Sequence, residues 1–548
     1  MKNNKNNTNH KDNSKLKNRI SLRLAPISLM FPDAGMSPPV TTTGAWENDL
    51  ALGDVIKALT LDKRYASYVR QILIALTSDA DVIRWRQEIL TDFLNNPSLS
   101  DAVEVLLPNF SSLQQGNSLL GQRQRNVLLE TSDRLSEIDI YITLIQGLHE
   151  ALNSASLKSS ALLHLRDNLL ALLNDGDFQS LRDDLPAMRA PLEKITSLTI
   201  GVNLDPDLKP TSAALMAVND FPIGESRSFL EKLIGVSAES EDTSVAPLRF
   251  LPRNRDERIL QPLFQDLDRL LTHVAQPVAR ALNQYARINS DSLMGLEYEL
   301  AFFAAAAHLF GRLPFYCFPE IASLDERVTE INELASLHLL LRQNERLVTS
   351  DADFGDAGRI AILTGPNSGG KTTYLRSVAM AHVLFQAGLP VPGRRARMSP
   401  IDAILTHFPA LESQHQGRLA EEASRLRALF ERATAYSLLL LNETFSSTSP
   451  GEAVYLAQDI LCGLRVIGVR AIYATHLIEL AQRIEEMEKS IEGSSSIFSL
   501  IATVQLDIEG QTVRTFRIER GLPLGRSYAR EIARLHGISL EQILAARH

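Results

Sequence analysis

The stretch GRIAILTGPNSGGKTTYLRSVAMAHVLFQAG, residues 358–388, decides the fold. A short apolar run, RIAIL (359–363), breaks into a glycine-rich turn. Apolar residues then recur at helical spacing from Thr372 onward. Inside it, Gly365, Pro366, Asn367, Ser368, Gly369, Gly370, Lys371 and Thr372 satisfy the phosphate-loop pattern G-x-x-x-x-G-K-[ST], with Thr373 following. Glycines let main-chain N–H groups turn toward phosphate oxygens, and the helix that follows offers its positive end to the same anion. Lys371 would reach the β- and γ-phosphates and Thr372 would ligate Mg²⁺, so ATP and Mg²⁺ are the implied cofactors. A strand before the loop and a helix after it separate this pattern from a chance glycine-rich turn.

Further along, AYSLLLLNE (435–443) reads as a buried strand ending in Asn442-Glu443, and RAIYATH (470–476) as another. Apolar strands alternating with helices imply a largely parallel sheet. In phosphate-loop ATPases the strand at 435–443 normally ends in an acidic Mg²⁺ ligand. Asn442 keeps a side-chain oxygen at the same reach but lacks the charge, so weaker Mg²⁺ retention and slow turnover are expected. Glu443 is placed to handle the attacking water. The Ser/Thr loop TFSSTSPGEA leads into a helix expected over 451–463. By itself His476 reads as a capping or core histidine; just past the end of a strand in such a sheet, it is placed to sense the γ-phosphate. Intact Lys371, Thr372 and Glu443 argue against an ATP-binding pseudo-enzyme.

The rest of the chain differs in texture. Its 548 residues are 45% hydrophobic and 22% charged, ordinary for a globular protein, and leave room for three to four domain-sized units. Residues 1–20 are Asn-rich with six Lys/Arg and one Asp, a disordered basic tail by composition, and 26–44 carries four prolines and reads as a lead-in loop. From about Trp46 to Gln343 the period is helical, with a Pro-Ser break at 97–98 and long amphipathic patterns at 126–175, 257–290 and 294–311. One interruption, ITSLTIGVNLDP (195–206), is β-branched and reads as short strands. AFFAAAAHLF (301–310) reads as a buried helix, and no apolar run is read as spanning a bilayer. The fold class expected is an α/β P-loop ATPase domain at the C-terminus, preceded by a mostly α-helical core and lever domain with a small β-containing insert.

The basic N-terminus lacks an apolar segment and is no secretory signal. Cys317 and Cys462 lie far apart, form no metal-ligand pattern and suit a reducing, cytoplasmic setting. A net charge of −9 does not advertise nucleic-acid binding, nor does it exclude a local basic surface. RNRDER (253–258) and GRRAR (393–397) are basic, but solvated charge or local ion pairing is the plainer reading of both. Aromatic and basic residues do not interleave as base-stacking surfaces require.

These motifs together resemble the MutS family of DNA mismatch-repair proteins. ILTGPNSGGKTTYLRSVA is similar to that family's phosphate loop, and AGLPVPGRRARMSPIDAILTHF to the segment that follows it. LLLLNETFSSTSPGEAVYLAQDIL resembles its acidic strand and Ser/Thr loop, YATHLIELA its ATH motif, and GRSYAREIARLHGISLEQILAA its closing segment. Upstream, LTSDADVIRWRQEILTDFLNNPSL resembles the start of the family's helical core, where an Arg-Gln pair precedes a helix. The resemblance implies an ABC-type ATPase working as a dimer, each nucleotide held between one subunit's phosphate loop and its partner's signature loop. Asn367 would then help position the γ-phosphate or water, Glu443 handle the water, His476 act as the switch and Thr372 and Asn442 face the metal. Gly417 and Glu422 would belong to the signature loop acting in trans. Gly417 stands where the family has a serine; its N–H remains, while the hydroxyl contact is lost or comes from Ser413.

On that reading, 1–45 is tail and lead-in, 46–350 a helical core, lever and clamp-like region including the 195–245 insert, and 351–548 the ATPase. By the same resemblance the chain is expected to begin at the helical core, without mismatch-reading or connector domains, and to end without a nuclease-like tail. A dimeric, backbone-directed and salt-sensitive DNA clamp is therefore expected, not itself reading mismatches, with no membrane partner. The competing expectation is an ATP-switched dimer on a protein or other non-DNA partner, with little turnover.

Overall fold

The computed structural model describes residues 24–33, 35–36, 44–119, 127–194, 196–207, 210–219, 221, 276–282, 291–342, 347–366, 369–409, 418–446, 448–506, 512–523 and 540–545. The basic tail, RNRDER, most of the 195–245 insert, much of 257–290 and most of the closing segment lie outside them. The chain packs as two compact units. One comprises Met1–Pro26, Val105–Glu150 and Arg166–Met294; the other comprises Ile27–Glu104, Ala151–Leu165 and Gly295–His548.

In the first unit, the helix Val127–Ser154 buries Leu144, Ile145 and Leu148, and the helix Gly176–Glu193 buries Phe178, Leu181 and Leu185. Tyr141 and Phe178 meet with ring centroids 6.4 Å apart. The β-branched stretch expected at 195–206 forms β1 (Ser197–Leu204), which pairs antiparallel with β2 (Pro210–Asn219). The short strands expected within 195–206 are thus one strand there and a partner just beyond it, inside the same insert.

The break expected at 97–98 falls at Asn96, between the helix Ala80–Asn95 of the second unit and the helix Pro97–Leu119. Asp79 caps the first of these helices by accepting from Asp81 N and Val82 N, and proline opens the second, where its missing N–H costs nothing. Arg86 and Gln87 lie inside the first helix rather than before one, which corrects the expectation. Arg86 is fully buried, and its Nε donates to Met30 O at 2.9 Å. That bond and two others seat the lead-in segment. Leu29 N and Ser28 Oγ both donate to the Glu299 carboxylate, at 2.6 and 2.8 Å, and Leu29 and Met30 are buried. The lead-in loop is thus partly core.

Glu299 stands on the helix Asp291–Phe310, whose residues 300–307 are all buried. By length and mean hydropathy its segment Leu293–Phe310 could cross a bilayer, contrary to the expectation that no run qualifies, but 67% of it is buried within the fold, as in a core helix.

The remaining strands are β3 (Glu320–Ile321), β4 (Thr329–Ala335), β5 (Thr349–Phe354), β6 (Ile360–Thr364), β7 (Arg395–Met398), β8 (Ile404–His407), β9 (Leu438–Asn442), β10 (Arg470–Thr475), β11 (Ile497–Leu506) and β12 (Thr512–Arg520). A six-stranded sheet runs β12-β11-β6-β10-β9-β8, all parallel except the antiparallel pair β11–β12. A four-stranded sheet runs β3-β7-β4-β5. The polar sequence TEINELA hid β4 in the region read as helical, and TSDADF hid β5 just after it.

Every residue of β6, β9 and β10 is buried, so these strands are continuous apolar runs rather than alternating ones. On one face Ile360, Ile362, Leu439, Leu441, Ala471 and Tyr473 share a core with Ala457, Leu461 and Leu464 of the helix Pro450–Ile467. The helix Lys371–Gln386 also packs on β9 and β10. The helix at 450 runs past its expected end at 463 to Ile467, and Gly468, with φ of 80°, closes it.

Candidate nucleotide site

The site forms where β6, β9 and β10 end together. Gly365 leaves β6 with φ of 149°, and Gly370 opens the helix Lys371–Gln386 with φ of 96° and no side-chain cap. A Cβ on Gly365 would lie 2.6 Å from the Ala502 Cβ on β11, so glycine is required there twice over, by backbone and by space. Gly369 N bonds to Pro366 O at 3.1 Å and tightens the loop. Lys371 is only 5% exposed, and its Nζ donates to Gly365 O and Pro366 O at 2.9 and 3.2 Å. It also lies 3.2 Å from Glu443 Oε1. Glu443 Oε2 in turn accepts from His476 Nδ1 at 2.8 Å. Thr372 Oγ1 donates to Asn442 Oδ1 at 3.4 Å, across 70 residues of chain.

Strand order explains these meetings. β10 lies between β6 and β9, with Thr475 beside Thr364 and Ala474 beside Asn442. His476 therefore emerges between the phosphate loop and the Asn442-Glu443 turn. Glu443 N donates to Ala474 O at 2.8 Å and continues the ladder, while the Glu443 φ of 52° turns its side chain out of the sheet line. The cleft here is about 930 Å³ and is bordered by Thr372, Thr373 and His476 and by an apolar wall that includes Leu334, Val348, Phe516 and Ile518. Phe516 and Ile518 were not singled out from the sequence; alternation in TVRTFRIER after the turn residues DIEGQ was the available signal.

Lys371, Thr372, Thr373, Gly365, Pro366, Gly369, Gly370, Asn442, Glu443 and His476 thus border or meet at one place. Asn367, Ser368, Ser413 and Gly417 lie outside the described residues. Glu422 stands on the helix Arg418–Phe430, and its Oε1 accepts from Phe445 N at 2.9 Å in the same chain. His407, at the end of β8, lies 3.9 Å from that oxygen through Nε2 and 3.3 Å from Thr444 Oγ1 through Nδ1. Burial is the chief cause holding the His407 pKa below the usual histidine value.

The oxygens at Thr372 and Asn442 are hard donors of the kind Mg²⁺ takes, and the uncapped start of the helix Lys371–Gln386 suits phosphate. Among the described residues no group of three or more His, Cys, Asp or Glu side chains could hold a metal ion. In GRRAR, Arg397 pairs with Glu320, Glu326 and Glu330, and Arg394 with Glu333 and the Phe315 ring. Two of that segment's arginines are therefore engaged within the fold.

The family described as MutS2 N-terminal domain matches residues 78–315, and the family described as MutS domain V matches residues 361–548. A "DNA mismatch repair protein MutS" of Chlorobium phaeobacteroides is 27% identical over 409 residues, covering 73% of this chain and 42% of the relative. An "Endonuclease MutS2" of Thermomicrobium roseum is 30% identical over 318 residues, covering 57% and 38%. A "DNA mismatch repair protein MutS" of Granulibacter bethesdensis is 25% identical over 491 residues, covering 84% and 51%. The chain spans about half or less of the length of these curated relatives.

Proposed function

The chain belongs to the MutS family, and from that premise we propose that it binds and slowly hydrolyses ATP to drive a dimer that acts on DNA in repair. The observation that carries this reading is the chain Lys371–Glu443–His476 beside the Thr372–Asn442 contact, all at the ends of adjacent parallel strands. The loop N–H groups and Lys371 hold the phosphates, whose oxygens take over the donors that Lys371 now spends on loop carbonyls. Thr372 and Asn442 would hold Mg²⁺, which when bound would supply positive charge against the phosphates. Glu443 orients the attacking water and draws its proton. His476 holds one carboxylate oxygen of Glu443, which leaves the other facing Lys371. The apolar wall around Phe516 suits a nucleotide base.

The finer parts are proposals of the same reading. The catalytic domain is ABC-type and lies within 351–548, with 46–350 forming core, lever and clamp-like parts. Asn367 positions the γ-phosphate, and Gly417 faces the partner's nucleotide. Mismatch reading is not assigned to the residues of this chain. DNA is held through its backbone, so binding falls steeply with salt. Internal pairing of Arg394 and Arg397 favours a second reading, an ATP-switched dimer on a non-DNA partner.

Two measurements test this. ATP turnover should rise with Mg²⁺ and be lost in Glu443→Gln, which should retain bound ATP. Gel shifts on duplex, branched and single-stranded DNA, with and without ATP across a salt series, should show ATP-sensitive binding. No shift on any substrate at low salt would leave only the second reading.

A further inference from the structure

We infer that Glu422 is a positioning residue for hydrolysis in its own subunit: by accepting the Phe445 N–H it holds the 443–445 turn that aims Glu443 at the phosphate site. The inference rests on the ATP-hydrolysis reading above. It departs from what the family resemblance assigns, which is a place for Glu422 in a loop serving the partner's nucleotide.

The turn is uphill as a backbone. Glu443 and Phe445 have φ of 52° and 62°, left-handed conformations that side chains other than glycine rarely adopt. Between them Thr444 is buried. Such a turn persists only where its surroundings over-determine it. Glu443 N is tied to Ala474 O within the sheet. Thr444 O accepts from Tyr473 Oη at 3.4 Å, and Thr444 Oγ1 lies 3.3 Å from His407 Nδ1. Those holds come from the sheet strands β8 and β10. Phe445 N instead donates to Glu422 Oε1, an acceptor carried by the helix Arg418–Phe430. That carboxylate is only 14% exposed, so its bond to the N–H is poorly replaced by water. Glu422 lies in the opening turns of that helix. A shift of that helix therefore reaches the 443–445 turn through one hydrogen bond.

The test uses the full chain. Glu422→Ala should speed hydrogen exchange at the Phe445 amide by about tenfold and lower kcat for ATP by about tenfold, with KM for ATP little changed. Glu422→Gln retains an oxygen acceptor and should keep most of both, so a folded comparison exists even if the alanine variant unfolds. Unchanged exchange and turnover in Glu422→Ala would overturn the inference. So would a Glu422→Gln variant as impaired as the alanine one, because charge rather than the accepted N–H would then matter. Mixing Glu422→Ala with Glu443→Gln chains should give no gain above the sum of the two; a gain would place Glu422 in service of the partner. Absence of turnover in the wild-type chain would instead sink the hydrolysis reading itself, whereas wild-type turnover beside an unaffected Glu422→Ala would sink only the positioning role.

Discussion

Two turns meet at the nucleotide site, and they solve opposite problems. The turn after β6 passes through left-handed backbone at Gly365 and Gly370, with φ of 149° and 96°. The turn after β9 passes through left-handed backbone at Glu443 and Phe445, with φ of 52° and 62°. The first must bring bare main-chain N–H groups against an anion, so side chains are removed and the strain with them. The second must deliver a carboxylate and anchor an aromatic ring, so side chains stay and the strain stays too, at about 1–2 kcal/mol per residue. Its surroundings carry that cost: Phe445 is buried in the core, and Ala474, Tyr473 and Glu422 bond the turn's main chain. Binding draws on bare main chain beside Lys371, and hydrolysis on a carboxylate carried by strained backbone.

The comparison can be broken at several points. The largest expected effect is Glu443→Gln, which should lower kcat roughly 10²- to 10⁴-fold while ATP binding persists, read by single-turnover kinetics beside nucleotide affinity. Lys371→Ala should act on the other side, weakening ATP affinity roughly 100-fold, measured by titration calorimetry. If both variants lost affinity equally, the division of labour between the turns would be wrong. Gly365→Ala should destabilise the fold by about 3 kcal/mol, since φ and the Ala502 contact both oppose a Cβ. Alanine should be worse than glycine at position 443 as well, by a smaller margin: Glu443→Gly should outlast Glu443→Ala by about 1 kcal/mol in denaturant titration, because open backbone is the only demand there. Equal stability of those two variants would mean that φ at 443 carries no strain. The smallest effect belongs to Asn442→Asp, which restores a charge beside Thr372 and should lower the Mg²⁺ concentration for half-maximal turnover by a few fold. An unchanged Mg²⁺ dependence would remove the charge argument for slow turnover.

Much of this site is legible in the sequence because its largest piece is contiguous. The strand RIAIL, the glycine turn and the helix after Lys371 announce themselves through local geometry alone. Asn442-Glu443 and His476 were readable as ends of apolar strands. Their roles toward each other were not, since nothing in YATHLIEL says that His476 will bond Glu443. Nothing in the sequence reading singles out β12, and with it Phe516, because an alternating polar strand at a sheet edge carries a weaker signal than a buried parallel strand. The prolines of 26–44 read as a loop, yet burial of Leu29 and Met30 goes with bonds to Glu299 and Arg86, which no local pattern links to that segment.

By itself the sequence determined what consecutive residues can carry: a phosphate loop between strand and helix, apolar strands for a parallel sheet, a helical region before it, and one charge missing at Asn442. Only the tertiary structure decided which of those strands are neighbours. Placing β10 between β6 and β9 joins Thr372 to Asn442 across 70 residues and Glu443 to His476 across 33, and packing of the helix Arg418–Phe430 joins Glu422 to Phe445 across 23. Local patterns follow from the backbone of each segment. Such pairings follow from the burial of whole strand faces, which depends on every segment at once.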